Sequence, residues 1–235
     1  MRATVALLCG LAAALCLVSC RQEAYEAGEG ELSLLTAEFG ELLTDADTVA
    51  CSAVTDADRR LRLQQGLRAR WMTTPDSSFR ALIYYFVNRH DTTAAVRTYS
   101  VQPVPVLMPL ARRHFTDGTV RDPVVMESVW QSANGRWLNM SFFVRTGESG
   151  DDQARHVLGL VRDTLTRWPP TDGTDSLSTL CLSLHHEQNG VPEYYSQRAY
   201  LSVPVSALAQ ADSVRLSVTT YQGDVSYCFA IRKQD

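Results

Sequence analysis

Asn134-Gly135 lies between two strand-like runs, residues 124–130 and 137–144, and restricts the folds open to this chain more than any other feature. Asn-Gly between such runs predicts a tight β-hairpin whose turn needs positive φ at both central residues. A second hairpin is predicted from residues 213–220 and 224–231 around Gln222-Gly223. Residues 82–87 form a β-branched and aromatic run bounded by turn signals, and residues 180–184 alternate leucine with small or polar side chains. That alternation is the pattern of a half-buried strand. Pro103, Pro105 and Pro109 forbid a helix across residues 99–109 and confine any strand there to a sheet edge. The chain is therefore expected to be all-β, with one helical turn over 206–210. Residues 154–165 are ambiguous: Ala154, Val157, Leu158, Val161 and Leu165 have helical spacing, and periodicity alone favours a helix.

The N-terminus carries a different signal. Arg2 precedes a short apolar run that ends at Leu17-Val18-Ser19-Cys20, followed at once by Arg21-Gln22-Glu23. A basic start, a brief hydrophobic core and small residues before the cut describe a secretory signal. The run is shorter than the about 20 apolar residues of a membrane-spanning helix. Leu17 to Cys20 resembles the lipobox of bacterial lipoproteins, which implies cleavage before Cys20 and diacylation of its sulfur. Residues 1–19 are thus read as a lipoprotein signal peptide and 20–30, polar and acidic, as a tether. Residues 31–113 are read as a small β domain of about five strands and 119–235 as a second β domain.

Composition excludes several chemistries. The net charge is −4 and no basic patch stands out, so no nucleic-acid partner is expected. Lys233 is the only lysine, which leaves Schiff-base chemistry and phosphate-loop binding dependent on one residue at the C-terminus. Cys51, Cys181 and Cys228 remain after Cys9, Cys16 and Cys20 are assigned to the signal and the lipid. They contain no Cys-x-x-Cys and are read as small buried apolar residues; whether Cys181 and Cys228 form a disulfide stays open. Gly-x-Ser-x-Gly, a phosphate-binding loop and a dinucleotide fingerprint are absent from the sequence. Asp45/Asp47 and Asp151/Asp152 are close acidic pairs, each read as a turn device. His185-His186 beside Glu187 invites a metal reading, but neighbours on a strand point to opposite faces, and nothing in the sequence brings His156 to them. No metal, cofactor or catalytic residue is assigned. Trp130 and Trp137 are read as core or cross-strand pairs. Trp168, ahead of Pro169-Pro170, is the exposed tryptophan expected to contact a ligand, with His186 as a second candidate for that surface.

Trp130, Asn134-Gly135, Trp137-Leu138-Asn139, His156 with Leu158 and Leu160, Leu184 with His186, Asn189-Gly190, and Leu201 to Pro204 together resemble the NigD-like lipoproteins of Bacteroidetes. Phe79-Arg80 leading into residues 81–87 fits the same family. The resemblance spans nearly the whole chain after Cys20. It implies a small OB-like N-terminal β-barrel followed by an immunoglobulin-like β-sandwich, and it makes residues 154–161 a strand. At His185 the chain departs from the family, where an arginine is expected.

The expected function is that of a non-catalytic lipoprotein, lipid-anchored through Cys20 to the cell envelope at the outer membrane. It would act as a binding or accessory module for a protein or glycan, with an immunity-like role. The alternative is a periplasmic hydrolase with its site at the domain junction.

Overall fold

A computed structural model describes residues 35–87, 95–115, 118–151, 153–169 and 177–232. The signal peptide, Cys20, the acidic tether, Asp152 and Lys233 lie outside the described residues. The described residues are built of thirteen β-strands with two short 3-10 turns, Arg112–His114 and Val205–Leu208. The second of these is the helical turn expected near Ser206.

The first five strands are β1 (Leu35–Thr44), β2 (Ala50–Thr55), β3 (Arg60–Leu67), β4 (Ser78–Phe86) and β5 (Arg97–Pro103), in the sheet order β3-β2-β1-β4-β5. The sheet curls until its two edges meet. Val96 N–H donates to the Arg62 carbonyl and Gln64 N–H to the Val96 carbonyl, which makes a parallel bridge between Leu63 and Val96. Five strands, antiparallel except at that closure, form the OB-like barrel that the family resemblance implies. Leu42, Ala53, Leu61, Leu63, Ile83 and Tyr85 fill its interior. Gly40 is required where β1 crosses β2, because a Cβ there would sit 2.8 Å from the Val54 carbonyl oxygen.

The remaining strands are β6 (Pro109–Ala111), β7 (Val125–Gln131), β8 (Trp137–Thr146), β9 (Val157–Trp168), β10 (Leu177–Glu187), β11 (Tyr195–Pro204), β12 (Ser213–Thr220) and β13 (Gly223–Ala230). They form a five-stranded sheet, β13-β12-β10-β9-β6, and a three-stranded sheet, β11-β8-β7. Leucines 180, 182 and 184 of β10 and Val214, Leu216 and Val218 of β12 face Leu138, Met140 and Phe142 of β8 across the gap. This is a β-sandwich core, made where the inward positions of two sheets interdigitate.

Residues 157–168 are a strand, so the family resemblance prevails over the helical spacing. The cause is a bulge. The β9–β10 register shifts between Cys181 and Leu182, which skips Asp163. One extra residue reverses the alternation, so Leu165 joins Leu158 and Leu160 against the sandwich core. A seven-residue separation on one face then imitates two helical turns.

The first hairpin is where it was expected, but its turn is different. Gly135 alone has positive φ, 71°, and the loop closes through Gly135 N–H to the Ser132 carbonyl. Asn134 serves through its side chain: its Oδ1 accepts from Ser132 Oγ and Arg136 N–H, and its Nδ2 donates to Asp58. Replacing Gly135 with valine is expected to destabilise by about 1–3 kcal/mol, since a β-branched residue resists that φ. Arg136→Ala removes only half-exposed ion pairs and should matter less. Equal losses in urea melts would contradict this. In the second hairpin the loop is Tyr221-Gln222, one residue earlier than expected, and Gly223 takes φ 113°.

Candidate functional site

The three-stranded sheet is covered on both faces only at the end where β7, β8 and β11 meet the barrel. Its inner face belongs to the sandwich, and its outer face carries the aligned row Trp130, Asn139 and Ser202, contributed by β7, β8 and β11. Against this row the barrel packs Phe39, which makes edge-on contacts with Trp130 at 5.5 Å and Tyr200 at 5.4 Å. Trp130 and Trp137 therefore line the junction with the barrel; of the two expectations for them, core or cross-strand pair, the sandwich core does not hold.

Arg80 of β4 is the centre of the junction. It is 6% exposed, and every bond it makes there goes to a side chain. Its two terminal nitrogens grip both oxygens of Asp56 at 2.6 and 2.8 Å. Nη2 also donates to Asn139 Oδ1 at 2.9 Å, and Nε to Ser202 Oγ at 3.1 Å. Asn139 Nδ2 returns a bond to Asp56, and Ser202 Oγ donates to Asn139 Oδ1. The guanidinium lies 4.6 Å from the Trp137 ring. Each of the four residues is bonded to at least two of the others. A second polar group sits at the barrel's end, where burial pushes the Tyr85 hydroxyl up to about 12 while it donates to Glu38.

Beside this network a cleft of about 560 Å³ opens between Glu41 of the barrel and Arg136, Trp137, Pro204, Val205 and Ser206 of the sandwich. Glu41 and Arg136 are paired at 3.3 Å. No histidine or cysteine is among its described lining residues.

The histidines lie at the other end of the sandwich. His186 is 1% exposed, so it is not at the surface where it was a candidate. Its Nδ1 lies 3.0 Å from the Asp122 carbonyl oxygen, which can only accept, so Nδ1 holds the proton. Its Nε2 is then free to accept from His156 Nδ1, 3.0 Å away, and the two rings stack at 5.2 Å. The structure thus brings together two histidines 30 residues apart, which the sequence did not suggest. His185 points to the opposite face against Phe115, at 4.8 Å. Among the described residues there is no group of three or more side chains able to hold a metal.

Burial, and for His156 the neighbouring His186, lower both ring pKa values below the ordinary histidine value. In the unfolded chain these rings take up protons near pH 6.5. The unfolded state therefore binds more protons than the folded state once the pH falls through that value. Stability is full above it and declines on acidification. The melting temperature is expected to fall between about pH 7 and pH 5, above the range of ordinary carboxylates. The fall should flatten when both rings are replaced by asparagine. An acid-insensitive melting temperature over that window would refute the assignment.

Trp168 is 53% exposed at the last position of β9, its indole nitrogen 3.4 Å from Thr179 Oγ1. Trp168 pairs with Leu177 and His186 with Leu158, at opposite ends of the same ladder, so the two candidates do not form one site. Cys51 and Cys228 are exposed, contrary to the buried reading. Cys181 and Cys228 both sit opposite Arg215, on either side of β12. Two strand spacings, about 9–10 Å, are too far for a disulfide. Asp45 accepts from the backbone of Asp47 and Val49, and Asp151 from that of Gln153, which makes both turn residues.

The NigD-like C-terminal beta sandwich domain matches residues 107–231. A NigD-like immunity protein from Bacteroides caccae is similar in structure with a TM-score of 0.61 at 22% identity, covering 84% of this chain and 97% of its own. A candidate lipoprotein from Bacteroides fragilis gives 0.58 at 11% identity, covering 86% and 99%. A candidate toxin-related protein from Parabacteroides distasonis gives 0.57 at 15% identity, covering 83% and 92%. No curated protein matches the chain.

Proposed function

The chain belongs to the NigD-like family, and from that premise we propose that it is a non-catalytic envelope lipoprotein that binds a protein or glycan partner in an immunity-like role. Cys20, acylated after removal of residues 1–19, anchors it at the outer membrane. The observation that carries the non-catalytic reading is the side-chain network at the junction. Arg80, Asp56, Asn139 and Ser202 bond one another, so their polar groups serve to hold the junction together. In the adjoining cleft Glu41 is held by Arg136. The immunity-like role is supported by the name of the Bacteroides caccae relative, and the anchor by that of the Bacteroides fragilis one. Trp168, with its exposed indole, is the proposed partner contact; His186, buried at the opposite end of the ladder, takes no part in it.

The test is complementation of a strain lacking the protein. Glu41→Gln, Arg136→Gln and His186→Asn chains should restore the phenotype, and Trp168→Ala should weaken it. Loss with Glu41→Gln at an unchanged melting curve would favour the junction hydrolase instead. Intact mass of membrane-extracted protein should show diacylated Cys20; a soluble product retaining Met1 would remove the anchor.

A further inference from the structure

Residues 59–70 hold five arginines and no carboxylate, in a chain whose net charge is −4. Arg60 and Arg62 are exposed on β3, opposite Val54 and Ser52 of β2. The barrel closure adds Arg97, because Val96 is bonded to Arg62 and Gln64. A cleft of about 550 Å³ runs between β3 and β5, with Arg68 and Arg97 on its two sides and Gln64, Thr98 and Tyr99 in its lining. Arg68 Nη1 donates to the Asp47 carbonyl, which fixes the guanidinium in place. The Arg97 guanidinium lies 4.1 Å from the Phe86 ring, and Phe86 meets Tyr99 edge-on at 6.0 Å.

We propose that this arginine face docks on anionic phospholipid, with one headgroup phosphate seated in the β3–β5 cleft between Arg68 and Arg97. Two arginines supply the charge and donor geometry that a phosphate needs. Tyr99, 63% exposed, places an amphipathic ring at the same level, as membrane-interface residues do. The chain outside the described residues favours a membrane as occupant. Cys20 precedes Leu35 by 15 residues, at most about 50 Å when extended. Glu38, three residues into β1, bonds Arg59 beside this face. A single-stranded nucleic acid fits less well, since it needs aromatic platforms for its bases. The outward positions of β2 and β3 offer Ser52, Val54, Arg60 and Arg62 in their place. The docking rests on the proposed anchor only for keeping the bilayer within reach.

The test uses the unacylated chain from Arg21 onward, which retains the whole compact unit Thr36–Asp235, so failure of the anchor and failure of the face are read separately. Co-sedimentation is measured with phosphatidylcholine vesicles with and without phosphatidylglycerol. Binding is expected to phosphatidylglycerol vesicles alone and to weaken with salt. Each of Arg60→Gln, Arg62→Gln, Arg68→Gln and Arg97→Gln should weaken it ~5-fold. The control Arg113→Gln/Arg215→Gln, two exposed arginines elsewhere, should not, and melting curves confirm that the variants are folded. No binding to anionic vesicles, equal loss in the control, or binding to a single-stranded oligonucleotide without vesicle binding would each overturn the proposal.

Discussion

Replacing Arg80 with leucine is expected to lower the unfolding free energy by about 3–5 kcal/mol, the usual loss when one partner of a buried ion pair is removed. The loss comes mostly from what stays behind. Asp56, with its side chain 17% exposed, would lose both of its bonds to the guanidinium. Asn139 and Ser202, both 0% exposed, would each lose a partner in a place water barely reaches. Lysine should not rescue the variant, because one ammonium cannot grip both oxygens of Asp56 while also reaching Asn139 and Ser202. Replacing Arg80 and Asp56 together should hurt less than the sum of the single changes, since their losses are shared. Urea melts of the four proteins provide the check, and a loss below 1 kcal/mol for Arg80→Leu would mean that water enters the junction freely.

The second large effect is expected at Phe142. Its side chain is fully buried between the sheets of the sandwich, and truncation to alanine should cost about 3–5 kcal/mol. Thr36–Asp235 forms one compact unit, and the Arg80 network couples its two halves. The loss should therefore be felt in the barrel too. Amide exchange at Ile83 and Tyr85 should accelerate alongside that at Leu182. Acceleration confined to the sandwich would show that the barrel unfolds on its own.

Much of the fold was legible in the sequence because short-range rules govern it. The alternation at 180–184, the runs around Asn134-Gly135 and the prolines near 103 all act over a few residues. Where the reading slipped, the cause was a distant partner. The bulge at Asp163 is visible only in the β9–β10 register, so residues 154–165 read as a helix until the family resemblance corrected them. Asn134 avoids positive φ because Asp56 and Asp58, in the other half of the chain, engage its amide groups. The candidate sites were harder to see for the same reason. Phe79-Arg80 was noticed only as part of a family pattern. Its partners stand 24, 59 and 122 residues away. The arginines of 59–70 vanished into a net negative charge, and Arg97 joins them only when the barrel closes.

The junction also orders events in time. Asp56 and Arg80 leave the ribosome well before Asn139, and Ser202 follows last. Contacts spanning so much chain are slow to form, because the loop they close must be ordered before they contribute anything. Until residues near 202 arrive, the Arg80 guanidinium lacks Ser202 and the Phe39 ring lacks Tyr200, so the cover over both is incomplete. That interval is when a protease or chaperone would find its opening. How long that face stays uncovered thus depends on how promptly the last hundred residues dock.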